Sequence, residues 1–511
     1  MCGGITAFRT IAKTHSGRLG RGGLTAKKFL SLNMKITFLV PPPLAGQRPA
    51  ERSSGCTHVV YPTPNIYELT VAALVEKSGN FEVAYHDFTY EKDSLEDFVL
   101  GDDSDFYSFW TVNLSIDTDL HAVRTIHKLK PEAYCLLLGP GPTYYINKCV
   151  DHERTIVLRG EPDMALLELL EAFRTGNAED WRKVDGISYL EDGKVVNNKP
   201  HALLKNLDEL PFPARHLLGN RAFHNPKLKV TPYTPALTSR QCPFKCIYCV
   251  PSSLTFAREI EYRRENGRKP AVAFRSVENV AEELDMLAAQ GYRAVGFMDD
   301  NFIWNEKRTK AICDALKKHG FVWGCQARVD EITEPIAKML GESGCRYIDL
   351  GVESFDDEIL SYIKKGFTKE HIYAAVALLK KYKVPVKLNI LIGTSPLETR
   401  EKLKDTIRRA RRLNVDQIMF NIVSPFPGTE FYNLAKENKW IVTGEYTPTD
   451  VQRTSIVSYP NLSAKEMERI LFRANLGYFL SPAFVLKQLH RFHSVKEFVS
   501  ALKALKIKLF G

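Results

Sequence analysis

Three closely spaced cysteines constrain this chain more than any other feature of its sequence. Cys242, Cys246 and Cys249 follow a C-x3-C-x2-C spacing, directly after a predicted strand from Val230 to Thr238. Soft thiolate ligands suit iron–sulfur chemistry, and three of them hold three irons of a cubane cluster. A fourth cysteine at matching spacing is missing, so the pattern predicts one iron left open for a small ligand. The alternatives are structural thiols or a zinc site, but zinc usually needs a fourth Cys or His nearby.

The segment from Cys242 to Cys249 resembles the signature of the radical S-adenosylmethionine (SAM) superfamily. Tyr248, directly before the last cysteine, is typical of it. The resemblance implies a [4Fe-4S] cluster whose open iron is chelated by the amino and carboxylate groups of SAM. It also implies reductive cleavage of SAM to methionine and a 5'-deoxyadenosyl radical, with Tyr248 beside the bound SAM.

The composition indicates a soluble protein of more than one domain. The 511 residues are enough for two or three domains, and 44% hydrophobic with 25% charged residues are typical of globular proteins. No apolar run is long enough to span a bilayer. The ten cysteines show no disulfide pattern outside the motif. This usage indicates a reducing, cytoplasmic setting, which an oxygen-labile cluster would also require.

The net charge of +10 is unevenly spread. Residues 1–33 carry six Lys and Arg and no acidic residue, which predicts a disordered basic extension before a domain that begins at Met34. A targeting peptide is the alternative, although no apolar h-region is present. A second basic stripe lies between Lys487 and His493. It predicts a solvated face, or at most a peripheral membrane contact.

Strands and helices alternate in residues 34–175. The predicted strands end at Val40, Asp87, Trp110, Leu138 and Leu158. Such alternation predicts a Rossmann-like, doubly wound parallel sheet. Sheets of this kind bind ligands beyond the carboxyl ends of their strands, so we expect any ligand at the turns after those residues.

This stretch resembles the cobalamin (B12)-binding domain that precedes the radical SAM core in one large class of enzymes. The resemblance implies cobalamin contacts from Pro42, Thr111, Asn113, Ser115, Gly139, Gly141, Gly160 and Glu161. The Asp-x-His-x-x-Gly motif that supplies an axial histidine is absent, and His58 and His86 do not stand in that pattern. Either cobalamin binds without such a histidine or the domain has lost it. The alternative is a Rossmann-like domain that binds nothing.

The middle of the chain divides into a connector and a second α/β domain. Residues 176–229 predict a linker with a small hairpin whose tip is Glu191-Asp192. Residues 230–439 contain six predicted βα units, which are too few for a closed eight-stranded barrel. We therefore expect an open (βα)6 partial TIM barrel of the radical SAM type, with its chemistry at the strand ends.

Residues 440–511 predict a helical C-terminal tail. The apolar periodicity indicates amphipathic helices from Ala464 to Leu480 and from Lys496 to Leu509. We expect Trp440, Tyr446 and Tyr478 in this tail to cover the mouth of the barrel and help to shape the substrate pocket.

Residues just after the second and third core strands are candidate SAM contacts. Met298-Asp299-Asp300-Asn301 stands where the superfamily usually has Gly-Gly-Glu. The resemblance implies that Asp299 or Asp300 contacts the amino group of SAM; an exposed turn with a capping Asp is the alternative. Arg328 is expected to pair with the SAM carboxylate or with Glu353, and a purely structural ion pair is equally expected.

The fourth and fifth core strands supply the other candidates. The resemblance places Glu353 and Ser354 near the ribose or carboxylate of SAM, and a capped helix start is the alternative. Asn389, Leu391 and Gly393 stand in the adenine-binding segment of the superfamily, with Asn389 and Leu391 as substitutions. No side chain is predicted to be catalytic in its own right.

The resemblance as a whole implies a cobalamin-dependent radical SAM enzyme that methylates an unactivated carbon. A cobalamin-associated cyclase or oxidase without methyl transfer is the nearest alternative, and a non-catalytic iron–sulfur or cobalamin sensor is another. The expected partners are a small-molecule or lipid-like substrate and an electron donor such as flavodoxin or ferredoxin. We expect a monomer that binds no nucleic acid.

Overall fold

The computed structural model describes residues 34–485, except residues 60, 92, 176–179 and 483. The predicted basic extension, the helix from Lys496 to Leu509 and the second basic stripe lie outside these residues. None of the described helices is long and apolar enough to cross a membrane. The described chain has a mixed α/β fold built on two largely parallel sheets.

The first sheet and its helices occupy the N-terminal part of the chain. Its seven strands are β1 (Met34–Val40), β2 (Phe81–Asp87), β3 (Phe106–Trp110), β4 (Tyr134–Leu138), β5 (Thr155–Leu158), β6 (Ile187–Glu191) and β7 (Lys194–Asn197). Its helices are α1 (Ile66–Lys77), α2 (Leu95–Gly101), α3 (Ile116–Leu129), α4 (Pro140–Tyr144), α5 (Ile146–Cys149) and α6 (Pro162–Arg174). The spatial order is β2-β1-β3-β4-β5-β6-β7, and the first five strands are parallel.

The strand order reverses at β1, which pairs with β2 on one side and with β3 on the other. Such a reversal opens a crevice beyond the strand ends, where doubly wound sheets bind their ligands. Val40 ends β1 and Trp110 ends β3, so these two residues mark that edge. The hairpin expected in the linker is present, but it pairs antiparallel with β5 through Val157–Ser188 and so extends this sheet.

The second sheet holds six strands that are all parallel to their neighbours. Its strands are β8 (Tyr233–Ala236), β11 (Ala294–Phe297), β12 (Val322–Ala327), β13 (Cys345–Glu353), β14 (Val386–Ile392) and β15 (Gln417–Ile422). Strands β9 (Ser239–Arg240) and β10 (Ala273–Phe274) form a separate two-stranded ribbon. The helices are α7 (Ser253–Asn266), α8 (Val277–Ala289), α9 (Glu306–Lys318), α10 (Glu334–Glu342), α11 (Asp357–Tyr362), α12 (Lys369–Lys381), α13 (Arg400–Arg412), α14 (Glu430–Glu437) and α15 (Ala464–Phe479). The order is β8-β11-β12-β13-β14-β15, and within the described residues the two edge strands do not pair with each other.

Side chains of the second sheet alternate between two different environments. Val295, Trp323, Leu350, Ile390 and Phe420 are buried in the apolar core that the sheet shares with its helices. The intervening residues point to the other face, because successive side chains of a strand alternate. That face is lined by small, polar or half-buried residues: Gly296, Gly324, Gly351, Asn389, Leu391 and Asn421. It is therefore the face that can accept a polar ligand.

Two elements differ from expectation. Helix α7, directly after the cysteines, was not predicted, because its run of charged residues lacks an apolar stripe; Ser252 caps it by accepting from the Thr255 N–H. In the tail, α15 packs against β15, and the Tyr478 hydroxyl accepts a hydrogen bond from the Ile418 N–H at 3.1 Å. Tyr478 therefore lies near the start of β15, and its expected place at the barrel mouth is wrong.

Candidate functional site

The three motif cysteines lie in an irregular loop between β9 and α7. All three are half-buried, and the Cys249 N–H donates to the Cys246 carbonyl at 3.4 Å. Burial raises the pKa of the Cys242 thiol to about 12. No three His, Cys, Asp or Glu side chains in the described part of the chain converge as ligands of one metal ion would. A cubane needs no such convergence, because each thiolate binds a different iron.

Asp300 holds both ends of this loop. Its carboxylate accepts hydrogen bonds from the Gln241 N–H at 3.2 Å, from the Ser252 N–H at 2.6 Å and from the Thr255 hydroxyl. Gln241 directly precedes Cys242, and Ser252 directly precedes α7. The Asp300 carboxylate thus fixes the distance between Gln241 and Ser252, and the three cysteines lie between these two residues.

Asp299 is fully buried and fixes the strand that leads into the loop. It accepts from the Thr238 N–H and hydroxyl and from the Ser239 hydroxyl, at 2.6 to 3.1 Å. Burial raises its pKa to about 6. Both carboxylates therefore bond to donors of the chain itself. A contact from either to the amino group of SAM stays a prediction.

Arg328 packs on the cysteine loop. Its guanidinium lies 3.5 Å from the centre of the Phe244 ring and pairs with Asp330 at 2.9 Å. The expected pair with Glu353 is not formed, because Lys365 takes that carboxylate at 3.0 Å. Of the alternatives for Arg328, the structure shows an ion pair within the chain that also supports an aromatic side chain of the motif.

The buried residues Glu353 and Lys365 and the half-buried Tyr248 form a cluster beside the cysteines. Glu353 ends β13 with a φ of 66°, and the register with β14 shifts there. Burial, followed by the nearby Glu353 carboxylate, raises the pKa of Tyr248 well above its ordinary range. A Cβ on Gly351 would lie 2.9 Å from Glu353 Oε1 and 3.0 Å from Lys365 Nζ, so a larger residue there would make the ends of these two side chains shift. Lys365 was not predicted as a site residue; its sequence signal was the run Ile363-Lys364-Lys365 shortly after Ser354.

The remaining SAM candidates separate into two groups. Asn389 and Leu391 are half-buried on the polar face of β14, where a ligand could reach them. Ser354 instead lies 3.4 Å from the Thr406 hydroxyl of α13, and it accepts from the Asp356 N–H. The Gly393 N–H donates to Glu398 at 2.7 Å. Ser354 and Gly393 thus serve the turns after their strands, and ligand contacts from them stay predictions.

The carboxyl edge of the first sheet carries polar atoms without partners. Thr111 Oγ1 and Asn113 Oδ1 are buried and have no hydrogen-bond partner among the described residues. Such atoms are costly unless something bonds to them. Ser115 differs, because its hydroxyl donates to Asp119 at 2.8 Å. Pro42 is half-buried just after β1.

The segment after β4 approaches this edge closely. It was expected to be a turn but begins the short helix α4. Gly139 has a φ of 99°, and a Cβ there would lie 2.7 Å from the Thr111 carbonyl oxygen. The Gly141 N–H donates to the same carbonyl at 3.2 Å. The backbone here lies against β3 with no side chain between, which leaves the crevice rim made of main chain.

A buried charged group that the sequence did not reveal lies at the same edge. Arg52, in the loop after β1, donates to both carboxylate oxygens of Asp119 at 2.7 and 2.9 Å and to the Trp110 carbonyl at 2.6 Å. Glu68 of α1 is fully buried near it. The only sequence signal was the arginine itself, since nothing in its surroundings marks it as buried.

Glu68 makes the stability of the protein depend on pH. Burial, partly opposed by Arg52, raises its pKa from 4.5 to about 8. Between these values the folded state binds a proton that the unfolded state has lost, so the free energy of unfolding falls as pH rises through that window. The loss is of the order of a few kcal/mol, since one pKa unit is about 1.4 kcal/mol. Glu68→Gln should remove this loss, as measured by urea unfolding at about pH 6 and about pH 8.5. Parallel pH dependence in both proteins would contradict it.

Gly160 and Glu161, the other two residues of the expected cobalamin set, lie at the interface of the two sheets' domains. The Gly160 N–H donates to the Thr143 hydroxyl at 3.1 Å. Glu161 is buried and pairs with Arg240 at 2.6 Å, just before the cysteine loop. A cobalamin contact from Glu161 stays a prediction, since its carboxylate pairs with an arginine of the second domain.

Comparison with known proteins shows what this chain is similar to. The model of the "Radical SAM superfamily" matches residues 237–410. The uncharacterized methyltransferase PH0819 of Pyrococcus horikoshii is 31% identical over 396 residues, which cover 75% of this chain and 80% of that protein. The radical SAM methyltransferase TsrM from Kitasatospora setae, solved with cobalamin and a [4Fe-4S] cluster bound, is 17% identical with a TM-score of 0.60, over 86% of this chain and 81% of that one. The cobalamin-dependent SAM radical enzyme OxsB, solved with aqua-cobalamin and SAM, is 18% identical with a TM-score of 0.62, over 94% of this chain and 72% of that one. At these identities the two structures show a shared fold.

Proposed function

Since the chain belongs to the cobalamin-associated radical SAM superfamily, we propose that it cleaves SAM reductively at a [4Fe-4S] cluster and, with cobalamin, methylates an unactivated carbon. The residues in the proposed cluster site are Cys242, Cys246 and Cys249. The proposed cobalamin lies at the carboxyl edge of the first sheet. The substrate is a small molecule or a lipid-like compound, and the electron comes from a donor such as flavodoxin or ferredoxin.

The observation that carries this proposal is that the carboxyl edges of the two sheets face each other. The Trp110 indole N–H, at the end of β3, donates to the Ser253 hydroxyl at the start of α7 at 2.9 Å. The Tyr67 hydroxyl of α1 donates to the Met298 carbonyl after β11 at 3.3 Å. The cysteine loop and the partnerless atoms of Thr111 and Asn113 therefore border one interface. A two-cofactor reaction needs its cofactors held this way.

The chain's own residues have a clear division of labour in this proposal. When bound, the cluster supplies the electron that cleaves SAM, and cobalamin carries the methyl group. Asp300 and Asp299 hold the cysteine loop and the strand before it. Lys365 and Glu353 place a charged pair beside the loop, where SAM would present its own charged amino and carboxylate groups. The buried interface keeps water from a reactive radical.

The residues at the first sheet's edge fit a large ligand rich in amides, such as cobalamin. Buried donors and acceptors without partners are rare in folded proteins, and a bound ligand is one explanation of them. The Asp-x-His-x-x-Gly motif of an axial histidine is absent from the sequence, and the His86 ring stacks on Phe98 of α2 with centroids 3.9 Å apart. We propose that cobalamin is bound without an axial histidine.

Thr111→Val tests the cobalamin site. The substitution keeps the side-chain shape but removes Oγ1, which has no partner in the described protein. The cobalamin-free protein should be as stable as the wild type or slightly more so, because a buried polar atom has gone. Hydroxocobalamin should bind about fivefold more weakly, corresponding to roughly 1 kcal/mol for one hydrogen bond. Equilibrium dialysis measures the second effect and urea unfolding the first.

Thr37→Val is the matched control, because Thr37 is a fully buried residue of β1 whose hydroxyl already bonds to the Ser104 hydroxyl at 2.7 Å. It should lower stability instead, by about 1 kcal/mol. Unchanged hydroxocobalamin affinity in Thr111→Val would remove Thr111 from the proposed site.

Methyl transfer is tested with SAM that carries a deuterated methyl group. The reconstituted, reduced protein is incubated with small-molecule fractions of a cell extract, and products are analysed by mass spectrometry. A deuterated methyl group in a product, together with 5'-deoxyadenosine, supports methylation. Formation of 5'-deoxyadenosine with a changed but unlabelled product would indicate cyclisation or oxidation. If neither 5'-deoxyadenosine nor a changed product formed, the result would favour a sensor.

A further inference from the structure

A buried charge network joins the N-terminal domain to both flanks of the cysteine loop. From the segment after β5, Glu161 Oε1 lies 2.6 Å from Arg240 Nη1 and 3.2 Å from Arg258 Nε. Asp163 receives two further hydrogen bonds from Arg240, at 2.8 and 3.0 Å. All four side chains are at least 95% buried. The contacts are therefore shielded from solvent and are not the weak ion pairs of a surface.

The two arginines stand on opposite sides of the cysteines. Arg240 ends β9, two residues before Cys242, and Arg258 lies on α7, nine residues after Cys249. The segment between them has no regular structure before α7, so its shape depends on what holds its ends. Asp300 holds the ends from the second domain, and Glu161 and Asp163 hold them from the first.

The segment after β5 and helix α4 also form hydrogen bonds with α7. Arg159 donates to Glu261 at 2.8 Å, and Arg264 donates to the Thr143 carbonyl at 2.9 Å. Thr143 in turn bonds to Gly139 and Gly160. A continuous set of hydrogen bonds thus runs from the edge of the first sheet to the helix that follows the cysteines.

Stability alone does not account for such a network. Replacing a buried ion pair by apolar residues is often neutral or stabilising, whereas removing one partner is strongly destabilising. Buried ionic groups that are kept can instead select one arrangement of the chain. Here the arrangement selected is that of the loop on which the cluster would be built.

We propose that Glu161 and Asp163 are positioning residues for the iron–sulfur loop, supplied by the N-terminal domain. The inference rests on the proposed function only in assigning the loop to a cluster. The N-terminal domain then has two tasks, since it binds cobalamin and also sets the position of the cluster relative to it.

Hydrogen exchange in the metal-free full chain tests the inference without any cofactor. In Glu161→Gln, amides between Gln241 and Ser252 should exchange about tenfold faster than in the wild type, because the loop opens more often. Glu171→Gln is the matched control in the same domain, since Glu171 pairs with Arg174 at the surface. Its loop should exchange as in the wild type. Equal loop exchange in Glu161→Gln and the control would overturn the inference.

Two additions keep the test decisive. Should Glu161→Gln fail to fold, the double variant Glu161→Gln/Arg258→Gln leaves no lone charge, and its loop must still exchange faster than that of the control. After reconstitution, the change that SAM causes in the electron paramagnetic resonance spectrum of the reduced cluster should differ between Glu161→Gln and the wild type, while Glu171→Gln should match the wild type. A wild type without a cluster would defeat the proposed function, while the exchange data would still judge the positioning role.

Discussion

Cys246→Ala is expected to lower the rate of 5'-deoxyadenosine formation from SAM at least about 1000-fold, roughly 4 kcal/mol of activation free energy. An iron that loses its thiolate is no longer held in the loop, and the two remaining cysteines cannot hold the cluster in one orientation. The protein is reconstituted with iron and sulfide without oxygen and reduced with dithionite, and the nucleoside is quantified by chromatography. Iron content should fall together with the rate.

Cys313→Ala is the matched control for this substitution. Cys313 is a buried thiol on α9, in the apolar core of the same domain. The same atoms are removed, and any loss of stability comes from the contacts of this thiol within the core, away from the cysteine loop. Its rate of 5'-deoxyadenosine formation should stay within about twofold of the wild type, far from the loss expected for Cys246→Ala. A Cys246→Ala protein that forms the nucleoside at the wild-type rate would remove the cysteines from the site.

Asp300→Asn is expected to release the cysteine loop. The aspartate accepts from two backbone N–H groups and one hydroxyl, whereas an amide has one acceptor oxygen and would turn its NH2 toward a donor. Hydrogen bonds to charged groups contribute about 1.5 to 3 kcal/mol each, so the metal-free protein should lose about 3 kcal/mol of stability. Iron bound after reconstitution should fall several-fold. Urea unfolding and iron analysis measure the two effects.

Asp285→Asn provides the comparison. Asp285 is an exposed carboxylate on α8 that pairs with Lys318 at 2.9 Å, and surface pairs of this kind contribute at most about 1 kcal/mol. It should bind iron like the wild type. Normal iron binding in Asp300→Asn would mean that the cysteine loop binds iron without the hydrogen bonds of Asp300.

The alternation of strands in both domains was predictable, because buried parallel strands are short apolar runs separated by turn residues. The five parallel strands of the first sheet and the six strands of the second lie where this alternation placed them. The mixed α/β fold is confirmed. Helix α7 was not predictable in the same way, because its buried face includes Arg258, Glu259 and Glu261. Arg258 and Glu261 pair with Glu161 and Arg159, which are far away in sequence, and Glu259 pairs with Arg263 one helical turn further on.

The motif cysteines were recognisable because these three candidate ligands lie close together in sequence, so their spacing alone indicates the chemistry. The partners of a strand-end residue come from elsewhere in the chain. Nothing near Arg328 indicated that Lys365 would take Glu353 from it, and nothing near Glu161 indicated Arg240. Sequence reasoning therefore named candidate positions but not the groups of the chain that they contact.

We propose that one chain binds an iron–sulfur cluster and cobalamin and uses the cluster to cleave SAM. The most direct measurement reconstitutes the wild-type protein anaerobically with iron, sulfide and hydroxocobalamin, removes unbound cofactors, and adds reductant and SAM. The expected result is [4Fe-4S] absorption, retained cobalamin and formation of 5'-deoxyadenosine. A protein that shows neither the cluster absorption nor the nucleoside would contradict it.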